Sequence, residues 1–242
     1  MKQLRLEFLK IKRSPLIIMS IMGISITPLL LGLIFPKSSE GLEGVTFTSF
    51  LEDVQLLNLM LMGILMFGLI TSYVFSKEFE EDTLKSTLAI PIRRARLLLD
   101  KFLVVFVWIL SLLFINVIEA IVICMIWGVE GVTLSSIAAA FGLAFRDGLI
   151  FLPLLTPIVF VTLLVRRYVA GIVFSISVVV INMIALNSEV YYAYYPYTIP
   201  LFLTGPVPED MIISVPISIL ILVGTGLFGA IASMIYFRKI AI

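Results

Sequence analysis

Six apolar runs, each close to the length that crosses a lipid bilayer and each bounded by charged or turn-forming residues, limit what this 242-residue chain can fold into. About 30 Å of hydrocarbon takes roughly 20 residues of helix. Lipid offers no water to backbone N–H and C=O groups, so these runs fold as helices that satisfy those groups internally. Of the residues, 61% are hydrophobic and 14% charged, against about 25% charged in soluble domains, more apolar surface than a soluble core can hide. The expected fold is an all-α integral membrane protein with one transmembrane domain over residues 1–242.

The membrane segments read as 15–35, 54–75, 102–127, 137–165, 168–186 and 211–237. Pro15 suits a first helical turn, Pro36 closes the first span and Pro28 predicts a kink inside it. A cleavable leader would have a shorter apolar core, so 14–35 reads as a retained span. The fourth segment is the least regular. Arg146 and Asp147 interrupt it and Pro153 and Pro157 follow, which predicts one long, bent helix with an interfacial outer half.

Threaded this way, all but Lys37 and Arg146 of the 17 Lys and Arg residues fall on one face. Basic residues flanking spans favour the cytoplasm, so both termini and the 76–101 connection are expected there, in a multi-pass protein of the cell's cytoplasmic (inner) membrane. The other face gathers Glu40, Glu43, Glu52, Asp53, Glu130, Asp147, Glu189, Glu209 and Asp210. Two readings fit it: solubility of exposed loops, or a field that concentrates a cationic solute or peptide.

Little covalent chemistry is on offer. There is no histidine, Cys124 is the lone cysteine, and no G-x-x-x-x-G-K-[ST] loop occurs to cradle nucleotide phosphates. No catalytic residue, metal site or cofactor site is assigned to this chain, and its energy must come from a partner or an ion gradient.

Polar residues within spans are the next candidates. Asn116 and Glu119 are three apart and share a helix face, either as interhelical polar packing or as part of a substrate path. Asn58, Asn182 and Asn187 carry the same two readings. Gly23, Gly63, Gly68, Gly224, Gly226 and Gly229 permit close helix approach or hinging. Arg146 and Asp147 read as a self-neutralising pair at the outer boundary, of little worth if wet, or as part of an external gate. Tyr191, Tyr192, Tyr194 and Tyr195 suit the headgroup layer, as anchors or as an external gate. Over residues 1–14, Leu4, Phe8 and Ile11 share a face among basic residues, which predicts an interfacial helix despite Leu6 and Leu9.

The charged segment 76–101 is the most informative. Glu78-Phe79-Glu80-Glu81-Asp82-Thr83-Leu84-Lys85 has helix-forming character, Pro91 ends it, and Arg93, Arg94, Arg96 and Lys101 follow. The run from Glu78 through Pro91 to Arg94, with Lys101 beyond it, resembles the first cytoplasmic loop of type 2 ABC transporter permeases, and among these the bacitracin-resistance and lantibiotic-immunity permeases. The layout of an amphipathic start, six spans and cytoplasmic termini is similar as well.

The resemblance implies a permease subunit that pairs with a second identical or related permease and with separate ATP-binding cassette ATPase subunits, which would hold ATP and Mg. It makes 77–90 a coupling helix seated on the ATPase, with Glu78, Glu81, Thr83, Leu84, Arg93 and Arg94 in that role. It implies outward export of an amphipathic compound or antimicrobial peptide. The rival readings are a gradient-driven secondary transporter with Glu119 in ion coupling, and a nontransport membrane scaffold. A reporter tag at Lys85 is expected to stay inaccessible from outside intact cells; an extracellular signal would overturn the threading.

Overall fold

The computed structural model describes residues 7–9, 14–35, 45–83, 94–188, 191, 194–204 and 215–239. Helix α1 is Leu16–Ile34, α2 is Phe47–Leu57 and α3 is Gly63–Glu80, the last two joined by a π-helical turn at Asn58–Met62. Then follow α4 (Arg94–Trp127), α5 (Leu134–Val165), α6 (Tyr168–Leu186), α7 (Ile199–Thr204) and α8 (Val215–Lys239). Six stretches are long and apolar enough to cross a membrane: α1, α2 through α3, α4, α5, α6 and α8. This is an all-α membrane protein. One end of the bundle carries Lys77, Lys101, Arg166 and Arg238, and the other carries Glu52, Asp53 and Glu130; they are called the basic and the acidic end below.

Several helices run past the apolar stretches read from the sequence, because polar residues cap them. Thr46 Oγ1 accepts the Ser49 N–H and Ser49 Oγ accepts the Thr46 N–H, so α2 starts well before residue 54 and carries Glu52 and Asp53 on helix. Thr133 and Ser136 repeat the device at the start of α5. Each box satisfies donors that a helix N-terminus otherwise leaves open. The two starts are also tied together, since Phe47 N–H donates to Glu130 O at 3.0 Å. Pro28, Pro153 and Pro157 all lie within continuous helices.

The interior belongs to the second and fourth spans, each 50% buried over its apolar window, while the sixth is 22% buried. The second span meets the fifth through two reciprocal pairs of small residues. A Cβ added at Gly68 would stand 1.9 Å from Ser175 Oγ, and one at Gly171 would stand 1.9 Å from Ser72 Oγ. Both serines donate to carbonyls of their own helices, Gly68 O at 2.6 Å and Gly171 O at 2.9 Å, which leaves neither serine hydroxyl stranded at the contact. Small residues four apart on each helix are what allow backbones this close in lipid.

The sixth span uses the same principle on the fourth. Gly226 sits against Pro153, Gly229 against Thr156 and Pro157, and Thr156 Oγ1 donates to Gly226 O at 2.8 Å. Gly224, by contrast, faces open space. Gly68→Ala is expected to cost about 1–3 kcal/mol through overpacking. Gly142→Ala, where a Cβ meets nothing within 4 Å, serves as the control. Thermal unfolding in detergent checks the pair; equal midpoints would refute the contact.

Candidate functional site

Polar side chains of the first three spans meet in one hydrogen-bonded chain. Thr27 Oγ1 donates to Asn58 Oδ1 at 2.9 Å, and Asn58 Nδ2 donates to Asn116 Oδ1. Asn116 Nδ2 lies 3.1 Å from Ile24 O and 3.4 Å from Glu119 Oε2, and Ser25 Oγ donates to Glu119 Oε1 at 2.5 Å. Asn116 and Glu119 do share a face of α4, and that face is turned to α1. In hydrocarbon each of these groups would otherwise lack a partner, and here they supply one another.

The π turn belongs to this arrangement. The Gly63 N–H bonds to Asn58 O five residues back, and a Cβ at Gly63 would stand 2.5 Å from that oxygen, so the position needs glycine. Asn182 Nδ2 reaches across from α6 to Met60 O within the turn at 3.1 Å. The second span is thereby held by polar bonds to the first, third and fifth.

At the basic end Glu78 and Glu80 of α3 and Glu81, which caps it, stand in three situations. Glu78 is 3% exposed, with Oε1 3.4 Å from Lys101 Nζ. Lys101, also 3% exposed, lies 3.4 Å from Glu7 Oε2 and donates to Val74 O at 2.9 Å. Glu80 Oε1 accepts the Tyr168 N–H at 2.8 Å, which sets a carboxylate at the start of α6, where the open donors and helix dipole favour it. Glu81 is exposed and 3.8 Å from Lys77 Nζ, a wet pair of little consequence for stability.

Helix α3 stops here for a local reason. Asp82 takes φ 51°, the left-handed region, and the Thr83 N–H returns to Glu78 O at 3.1 Å while Asp82 N–H points to Phe79 O at 3.4 Å. That is a Schellman stop with Asp where glycine is more usual. The coupling helix read as 77–90 is thus corrected at its start: 77–80 are the last turn of the second span, and the chain turns at Asp82. Thr83 follows the stop, Arg94 begins α4, and Leu84 and Arg93 lie outside the described residues. Beside the stop, the Arg166 guanidinium lies 6.0 Å from the Phe79 ring centroid.

Residues 7–9 of the proposed interfacial helix are helical; Glu7 is buried, Phe8 packs on the core and Leu9 is exposed. Asp147 is 2% exposed and paired with the Arg146 guanidinium at 3.3 Å, thirteen residues into α5, so the carboxyl group of the pair is buried while the arginine side chain is partly exposed.

At the acidic end a cavity of about 340 Å³ lies between α2 and α7, lined by Glu52, Asp53, Gln55, Leu56, Leu59, Leu201 and Thr204. Tyr191 and Tyr194 are exposed beside an apolar hollow of about 260 Å³ with Ile181, Ile184, Ala185 and Tyr195. Tyr192 lies outside the described residues. Tyr195 donates to Val178 O at 3.4 Å and Tyr197 to Leu154 O at 2.9 Å. Burial pushes the Tyr195 hydroxyl up to about 12 and raises Tyr197 further, so both stay neutral hydrogen-bond donors.

Sequence reasoning missed Gly171 and Ser175, whose four-residue spacing repeats that of Gly68 and Ser72, and it missed Glu7, the one acid in a basic leader. Among the described residues no group of three His, Cys, Asp or Glu side chains is placed to hold a metal ion.

Six membrane helices, with buried polar bonds between them and a charged end built on the second span, define a multi-pass helical membrane protein. The chain belongs to the ABC-2 transporter family: the family described as ABC-2 family transporter protein matches residues 3–182. It is similar to the bacitracin transport permease protein BCRB of Bacillus licheniformis, at 30% identity over 204 residues, 82% of this chain and 94% of that protein.

Asn116→Leu is expected to lower stability by about 1–2 kcal/mol, the upper range for interhelical bonds in membranes. Adding Asn58→Leu is expected to cost less than the sum of the two, because they share a bond. Denaturation in mixed micelles measures both, and strict additivity would contradict the network.

Proposed function

We propose that this chain is the membrane subunit of an ATP-driven exporter, working as a pair of identical or related permeases with two ATP-binding cassette ATPase subunits on the cytoplasmic face. The basic end faces the cytoplasm, as the excess of Lys and Arg there supports. The observation that carries the reading is the continuity of the second span: helix runs from Phe47 through the π turn to Glu80, so its charged last turn is part of a span. A partner that displaces the 77–83 segment therefore moves a membrane helix directly.

Within that segment the roles separate. Glu81 and Thr83, with Leu84, Arg93 and Arg94 beyond them, are the ATPase-facing positions, whereas Glu78 acts inside the chain. ATP and Mg belong to the partner subunit. The cargo is an amphipathic compound or antimicrobial peptide, in keeping with the relative named for bacitracin transport. The acidic cavity at Glu52 and Asp53 suits cationic groups of such a cargo at the outer side.

Glu119 bears on the rival reading of gradient coupling. Its two oxygens lie within hydrogen-bond reach of Ser25 and Asn116, an arrangement that serves helix packing.

A photocrosslinker at Glu81 is expected to capture an ATPase-sized partner from membranes of cells co-expressing both subunits. Glu81→Lys is expected to weaken ATPase co-purification about tenfold, since a charge placed against a like charge on a partner is costly, without lowering the amount of chain in the membrane. Robust gradient-driven bacitracin transport by the isolated chain would overturn the assignment.

A further inference from the structure

The Lys101 ammonium is enclosed. It lies against one acid from the amino-terminal segment, Glu7, one acid from the last turn of the second span, Glu78, and one backbone oxygen, Val74 O. An ammonium has three N–H donors, and three acceptors from two separate segments surround it. All three charged side chains are buried, at 6%, 3% and 3% exposure, so water does not screen them. Lys101 itself stands near the start of the third span. One cation therefore ties together the amino-terminal segment at Glu7, the second span at its charged end, and the start of the third span.

We propose that Lys101 is a positioning residue for energy coupling: the Glu7–Lys101–Glu78 clasp makes the amino-terminal segment at Glu7 and the third span follow the second span when its charged end is displaced. The proposal rests on the docking of an ATPase at 77–83. It adds that Glu78, three residues before the exposed Glu81, transmits inward and does not form the docking face.

Flexible contacts alone would let the end of the second span move while the third stayed in place. A buried ion pair resists that, because separating Lys101 from either carboxylate pulls opposite charges apart where water does not screen them. The third span carries Asn116 and Glu119, so the same displacement reaches the polar chain that joins the first three spans.

The test uses the full chain with its ATPase in nanodiscs, in a Cys124→Ala background with Leu56→Cys as a reporter in the acidic cavity. The maleimide reaction rate at that cysteine is read with and without ATP plus vanadate, beside ATPase co-purification and thermal stability. With Lys101 intact, nucleotide is expected to change the rate. With Lys101→Met or Glu7→Gln, ATPase capture is expected to persist while the nucleotide response falls about tenfold, within the span of typical coupling energies. Lys101→Arg, which keeps the cation, is expected to retain most of the response.

A full response in folded Lys101→Met or Glu7→Gln would overturn the proposal. So would loss of ATPase capture in both, which would make the clasp part of the docking face. If Lys101→Met does not accumulate, the milder Glu7→Gln decides, because it leaves the Lys101–Glu78 pair in place. Failure of the unsubstituted chain to capture an ATPase would remove the docking reading, and the proposal with it.

Discussion

Contact between the second and fifth spans at the distance of a glycine fixes where everything at the basic end falls. Gly68 against Ser175 and Ser72 against Gly171 set an antiparallel register in which the last turn of α3 extends just past the start of α6. That overlap puts Glu80 in reach of the Tyr168 N–H and Phe79 beside Arg166. A larger residue at either glycine would part the helices and remove both contacts. The apolar effect cannot supply this order, since lipid tails are as apolar as leucine, so close packing and polar bonds must supply it.

The polar bonds have the complementary task. A bundle held by small residues alone slides easily along its ridges, but Thr27, Asn58, Asn116 and Glu119 meet in only one register. The π turn at Asn58–Met62 belongs to the same solution. It spends one ordinary backbone bond to place Asn58 toward α1 and α4 while Met60 O is met by Asn182 from α6. Polar atoms in lipid are costly when unmet, and that cost is why the register they choose is specific.

The six apolar helices were legible because length and hydropathy are one-dimensional properties: any run that must cross hydrocarbon shows itself. The helix ends were less legible. Thr46 with Ser49 and Thr133 with Ser136 extend α2 and α5 into stretches that composition marks as connection, since a capping box depends on two residues and apolar content does not register it. The pairing of Asn116 with Glu119 followed from helical spacing, but that Asn58 and Ser25 complete it did not, because those bonds join residues 58 and 94 positions apart.

The acids of 78–82 show the limit most plainly. In the sequence they are one charged patch, and nothing local separates Glu78 from Glu81. The separation comes from where the helix ends and from its neighbours: Glu78 and Glu80 lie in the last turn of α3, about 200° apart around it, toward Lys101 and toward the start of α6, while Glu81 caps the helix just ahead of the left-handed Asp82 and meets solvent. The partner at the first position suits its surroundings. A compact ammonium presents three rotatable donors to two carboxylates and a carbonyl from different segments, whereas a planar guanidinium favours a flat, bidentate partner. Replacing a buried pair of this kind by apolar residues is often tolerated, but removing the shared cation, Lys101, leaves two buried carboxylates facing each other and is costly. A charge cluster at a membrane boundary is thus two structures at once, an inner one that fixes helices to each other and an outer one free to meet a partner, and the boundary between them is set by where the helix stops.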